Sequence, residues 1–147
     1  MRVVSAVTAL SACAAVTAPP TDSSSIAQPR ILVTIGNERF EMTLDGSAAS
    51  RDLIEQLPVK LEMRDHESVE KTGRLPRSLS LEGQPVGVDP DPADVGYYAP
   101  GQDLVFYYGD QSSYPGIVVL GRMDQRTAER LSSMAGSITA TVTQLPS

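Results

Sequence analysis

Ile31-Leu32-Val33-Thr34-Ile35-Gly36-Asn37-Glu38-Arg39-Phe40-Glu41-Met42-Thr43-Leu44 is the stretch on which the fold turns. A β-branched run leads to Gly36-Asn37, after which Phe40, Met42 and Leu44 alternate with Arg39, Glu41 and Thr43. Two extended runs joined by two residues of this type specify a tight β-hairpin, and the alternation sets its register. A chain that begins its ordered part this way is building an antiparallel sheet.

Downstream, Asp45-Gly46-Ser47 breaks the strand, and Ala49, Leu53, Ile54 and Leu57 recur at helical spacing until Pro58 stops them. This predicts one short amphipathic helix, whose apolar stripe lies as a lid on a barrel or sheet. Val59, Leu61 and Met63 alternate with Lys60, Glu62 and Arg64, predicting a third strand. Residues 64–73 are crowded with charge and read as a loop or an exposed edge strand. Residues 75–100 are rich in Pro and Gly, which excludes helix and leaves short extended pieces at Leu79-Ser80-Leu81 and Val86-Gly87-Val88. Leu104-Val105-Phe106-Tyr107-Tyr108 and Ile117-Val118-Val119-Leu120 hardly alternate, so both should be strands covered on two faces. Asp124 can cap a last helix through Leu131, and Ile138, Ala140 and Val142 alternate in a final strand. The sum is a mainly β domain over residues 30–145. About eight strands with one or two short helices suffice for a small closed barrel with a helix over one end.

Composition narrows the function. A length of 147 residues with 41% apolar content supports one core rather than a multidomain enzyme. Twelve Lys and Arg against eighteen Asp and Glu give a net charge of -6, which disfavours nucleic acid as a partner. One Cys and one His exclude an internal disulfide, a Cys-cluster metal site and a multi-His zinc site, and no cofactor is implied.

The N-terminus reads as an address. Arg2 precedes an apolar and small-residue run through Ala12, too short to span a bilayer, and the run ends at Cys13. Leu10-Ser11-Ala12-Cys13 resembles the bacterial lipobox, which implies cleavage before a lipid-bearing Cys13. Residues 1–12 would then be a signal peptide, and residues 13–29 a flexible tether with too little apolar surface to fold. The expected place is the cell envelope, with the membrane as partner through the lipid. Cleavage near Ala14 or Ala18 instead would leave a secreted or periplasmic protein.

For a binding face, the sequence offers Tyr97, Tyr98, Tyr107, Tyr108 and Tyr114, with Arg122 as a fixed cation. Tyrosine combines a flat apolar surface with one hydroxyl, which suits a peptide, a small ligand or a protein partner. The same residues could instead pack the strands, with Arg122 ion-paired to Asp110 or Asp124. His66, between Asp65 and Glu67, reads as a solvated turn residue without a metal or base role. Asp89-Pro90-Asp91-Pro92-Ala93-Asp94 reads as a solvated loop too stiff to gather calcium. Ser112 and Ser113 lie outside any nucleophile-elbow motif and have no evident His partner.

Asp94-Val95-Gly96-Tyr97-Tyr98-Ala99-Pro100-Gly101, the Leu104-to-Asp110 strand ending in Tyr108-Gly109-Asp110, and the later Leu120-Gly121-Arg122 resemble the cyclophilin-like domain found in many bacterial proteins. The resemblance runs from about Ile31 to Val142 and implies a cyclophilin-type barrel. True prolyl isomerases carry a Phe-His-Arg-Val-Ile strand and a Gln-Gly-Gly-Asp turn; this chain has neither, and no Trp. The resemblance therefore implies a fold and little chemistry. A non-catalytic, envelope-anchored binding domain is the expectation, with a divergent extracytoplasmic prolyl isomerase or folding helper as the alternative.

Overall fold

The computed structural model describes residues 11–18 and 27–146. The expected signal peptide lies outside the described residues except at Ser11 and Ala12, and the tether is described only at 13–18 and 27–29. Residues 11–18 are exposed and without secondary structure, and Cys13 is among them. Among the described residues no helix is long and apolar enough to cross a membrane.

The hairpin forms as its sequence requires. β1 (Arg30–Ile35) and β2 (Glu38–Leu44) pair antiparallel, with Ile35 opposite Glu38 and Gly36 at φ +59° in the turn. Then follow α1 (Ala48–Glu55), β3 (Val59–His66), β4 (Glu70–Arg74), β5 (Gly87–Val88), β6 (Asp94–Tyr98), β7 (Asp103–Tyr107), β8 (Tyr114–Pro115), β9 (Ile117–Met123), α2 (Gln125–Ser132) and β10 (Ile138–Leu145). Eight strands close a barrel in the order β1-β10-β3-β4-β7-β6-β9-β2, and β5 with β8 forms a separate ribbon. The fold is the mainly β closed barrel that the alternation predicts, with two helices.

Each helix is started by a side chain that accepts a first-turn amide. Ser47 accepts from Ser50 N at 3.2 Å, and Asp124 accepts from Thr127 N at 2.6 Å. α1 joins the end of β2 to the start of β3, and α2 joins the end of β9 to the start of β10, so the helices lie at opposite ends of the barrel. Leu53 of α1 and Leu131 of α2 both enter the interior cluster, each fully buried.

Three features depart from the sequence reading. Residues 64–73 are neither loop nor edge: β3 and β4 pair in mid-barrel, joined by a turn in which Glu67 and Ser68 adopt φ of +52° and +58°. No Gly or Asn marks that turn, which is why it was illegible. The piece at Leu79-Ser80-Leu81 is not a strand, and a single 3-10 turn, Ala99–Gly101, ends the Pro-rich segment. Asp94 is no loop residue but the buried first residue of β6.

Two contacts hold the barrel shut. β2 meets β9 through only three paired positions, the last being Leu44 with Gly121. A Cβ on Gly121 would overlap the Thr43 carbonyl oxygen and come within 2.7 Å of Leu44 Cα, so the seam closes only on a glycine. At the α2 end, the fully buried Lys71 ties β4 to β3 and to the segment that follows α2. Its Nζ lies 2.9 Å from Asp65 Oδ1, donates to the Met134 and Gly136 carbonyls at 2.5 and 3.0 Å, and stands 5.8 Å from the Tyr108 ring centroid. A buried ammonium is tolerable only with such partners. Asp65 also accepts the Tyr108 hydroxyl, and the two hydrogen bonds hold its carboxyl below the usual range.

Gly121→Ala is expected to destabilise the fold by about 2–4 kcal/mol in urea titrations. Gly46→Ala, where nothing lies within 4 Å of the added carbon, should shift stability by less than about 0.5 kcal/mol; equal effects would remove the seam as the sensitive contact. A carboxyl whose pKa is depressed on folding stabilises the protein above its unfolded value, near about 3.9, and loses that contribution as pH falls through the folded value. Asp65→Asn should therefore be less stable than wild type at neutral pH, with the gap narrowing in acid. A gap constant with pH would show that the Asp65 charge is not what stabilises.

Candidate functional site

Strand parity divides the tyrosines. On β7, Leu104 and Phe106 point into the barrel, while Val105 and Tyr107 join Ile117 in a second buried cluster against which Val88 and Tyr98 pack. The second cluster lies on the outer wall, because side chains alternate across the sheet. All four residues of β7 from Leu104 to Tyr107 are buried, as the lack of alternation required. The β5–β8 ribbon and the chain leading into it cover part of this outer wall.

What remains uncovered is a cleft of about 380 Å³. Tyr107, Ile117 and Tyr98 provide its apolar surface, and Tyr114 of the ribbon stands at one side, half-exposed. The Tyr98 and Tyr114 ring centroids are 6.2 Å apart, with the planes at 53°. Tyr107 lies flat on the sheet because its neighbour is Gly96: a Cβ there would come within 2.6 Å of Tyr107 Cε2 and 3.0 Å of the Val118 carbonyl oxygen. Burial, with the nearby Glu70 and Asp94 charges, pushes the Tyr107 hydroxyl far above its ordinary pKa, so it is present as a neutral phenol.

The polar side of the cleft comes from residues that alternate outward on β3 and β4. Arg64 pairs in register with Thr72, and His66 with Glu70, and all four line the cleft. His66 Nδ1 lies 3.1 Å from Glu70 Oε1. Burial raises the Glu70 carboxyl above the usual range, against the opposing pull of His66 and Gln111. Asp103, also on the cleft, is raised by burial and drawn back by Arg64 and Arg74. Glu67, Gln111 and Ser112 complete the wall.

The six residues nominated from sequence therefore separate. Tyr98, Tyr107 and Tyr114 meet in the cleft. Tyr97 points inward, fully buried, its hydroxyl accepting from Leu79 N at 3.2 Å. Tyr108 is held by Asp65 and Lys71, and burial together with the Asp65 hydrogen bond pushes its hydroxyl upward. Arg122 pairs across β6 and β9 with Asp94 at 2.8 Å, not with Asp110 or Asp124, and does not line the cleft.

His66 is a cleft residue. It ends β3 rather than sitting in a charged loop, and the short turn at Glu67 and Ser68 places it across from Glu70. The alternation Lys60, Glu62, Arg64, His66 carries the outward face of β3 into the charged segment and is the signal that places His66 on the strand. Ser112 lines the same cleft as His66, but no hydrogen bond joins the two among the described residues. No group of three or more His, Cys, Asp or Glu with metal-holding geometry occurs among the described residues.

The sequence profile of the cyclophilin-like family matches residues 33–143. The barrel is similar to the solution structure of a hypothetical protein from Archaeoglobus fulgidus, with a TM-score of 0.62 at 18% identity, covering 81% of this chain and 96% of that one. At that identity the likeness speaks for the fold alone. No curated protein matches the chain. The profile match spans β1 to β10, including the glycine-sealed seam and the strands that build the cleft, and the chain belongs to the cyclophilin-like family.

Proposed function

We propose that this protein is a non-catalytic binding domain that takes a short peptide segment in the tyrosine-lined cleft on the outer wall of its barrel, and that Cys13 anchors it at a bacterial cell envelope. The cleft carries the reading. Apolar floor from Tyr107 and Ile117 is left open beside the tilted Tyr98–Tyr114 ring pair, and Arg64, His66, Glu70 and Asp103 add polar groups to the same cleft. That combination offers a peptide both a surface for side chains and partners for its amides. The anchor reading is supported by Leu10-Ser11-Ala12-Cys13 and by the exposure of Cys13.

Binding is tested with the full chain carrying Cys13→Ser and a panel of capped peptides, followed by amide chemical-shift changes in NMR. Shifts should cluster on Tyr98, Tyr107, Tyr114 and Ile117, and Tyr114→Ala should weaken binding by about tenfold, equivalent to about 1.4 kcal/mol. No shift with any peptide would overturn the reading. A proline-peptide isomerisation assay should show no acceleration over buffer, and a catalysed rate would favour the isomerase alternative. In bacterial cells expressing the full chain, Cys13→Ser should move the protein from the membrane fraction to the soluble one. Equal membrane retention with no incorporated fatty acid would refute the anchor.

A further inference from the structure

Resting on the cleft-binding reading, we propose that the group recognised in the cleft is a cation, specifically an alkylammonium such as a lysine side chain presented on a peptide. Three carboxylates, Glu67, Glu70 and Asp103, line the cleft against one guanidinium, Arg64. Arg64 acts on Asp103, together with Arg74. The negative charge of Glu70 and Glu67 therefore faces the cleft with only the half-exposed His66 beside it.

Glu70 is the decisive group. Its side chain is 12% exposed; His66 Nδ1 lies on Oε1 and Gln111 is a neutral hydrogen-bond partner, so among the described residues its one basic contact is His66. A carboxylate offers about four acceptor sites, and a buried one is costly without charged donors. An anionic ligand would meet two carboxylates, and an apolar one would strip water from Glu70 while replacing none of its hydrogen bonds. An ammonium would add a full positive charge beside Glu70 and Glu67.

The walls select the same class. Tyr98 and Tyr114 stand at 53° with centroids 6.2 Å apart, two sides of an aromatic corner, with Tyr107 beneath. Aromatic faces attract cations through the ring quadrupole, more so where water is excluded. A lysine carries an apolar stem ending in the charge, so the stem can lie on Ile117 and Tyr107 while the head reaches Glu70.

The test uses the full chain with Cys13→Ser and three probes measured by NMR titration: a capped Ala-Lys-Ala tripeptide, its norleucine counterpart and n-butylammonium. The lysine tripeptide should bind at least about tenfold more tightly than the norleucine one, and added sodium chloride should narrow the gap. Glu70→Gln should remove the preference, the lysine and norleucine tripeptides then binding equally, with an unperturbed amide spectrum elsewhere as the folding control. Tyr114→Ala, at an exposed position that need not affect folding, should reduce it as well. Tight binding of n-butylammonium equal to the tripeptide would assign the cleft to free amines, still cationic. Norleucine binding as well as lysine would overturn the cation inference and leave peptide binding standing. No binding by any probe, with no peptide of the wider panel binding either, would overturn both.

Discussion

The close approach of β2 and β9 is the constraint on which the structure depends. A barrel of eight strands has no free edge only if every neighbouring pair is joined, and the β2–β9 junction is three residues long, as short as that of β3 with β4. With so short a ladder, backbone separation is set by what lies between the strands, and at Gly121 nothing does. Closure then fixes which side of every strand is inside. Tyr97 and Tyr98 are neighbours in sequence, yet one is sealed in the core and the other faces the cleft. A register slip of one residue in β6 would exchange them.

The cleft follows from the same geometry with one addition. A closed barrel usually shows a polar outer wall, but β7 places Val105 and Tyr107 outward, and Ile117 of β9 joins them. Apolar surface there demands a cover, and the small β5–β8 ribbon supplies it only in part. The cleft is the uncovered remainder. Gly96 lowers its floor by letting the Tyr107 ring lie on the sheet. The cleft charge comes from elsewhere, from the outward residues of β3 and β4 that the tight turn at Glu67 and Ser68 brings level with each other.

Local order was largely legible. The Gly36-Asn37 hairpin, the caps at Ser47 and Asp124, and the two-faced burial of β7 all rest on interactions between residues close in sequence, or on a periodicity with one meaning. The β3–β4 turn was not legible, because Glu67 and Ser68 adopt left-handed backbone without the residue types that announce it. Lys71 was equally hidden. Among the charges of 65–71 it looks solvent-bound, and besides Asp65 it takes the Met134 and Gly136 carbonyls, more than sixty residues away, to explain how it can be buried.

By itself, the sequence determined the class of fold and the elements, since alternation, turn residues and caps act over a few positions. It also limited the large aromatic side chains to five Tyr and two Phe, there being no Trp. Only the tertiary structure decided which three tyrosines meet, that Arg122 is engaged by Asp94, and that His66 and Glu70 belong to the cleft. The reason is physical. Side-chain parity along one strand is a local property, whereas the choice of inside and outside, and the strand that lies alongside, are set by closure between residues far apart in the chain.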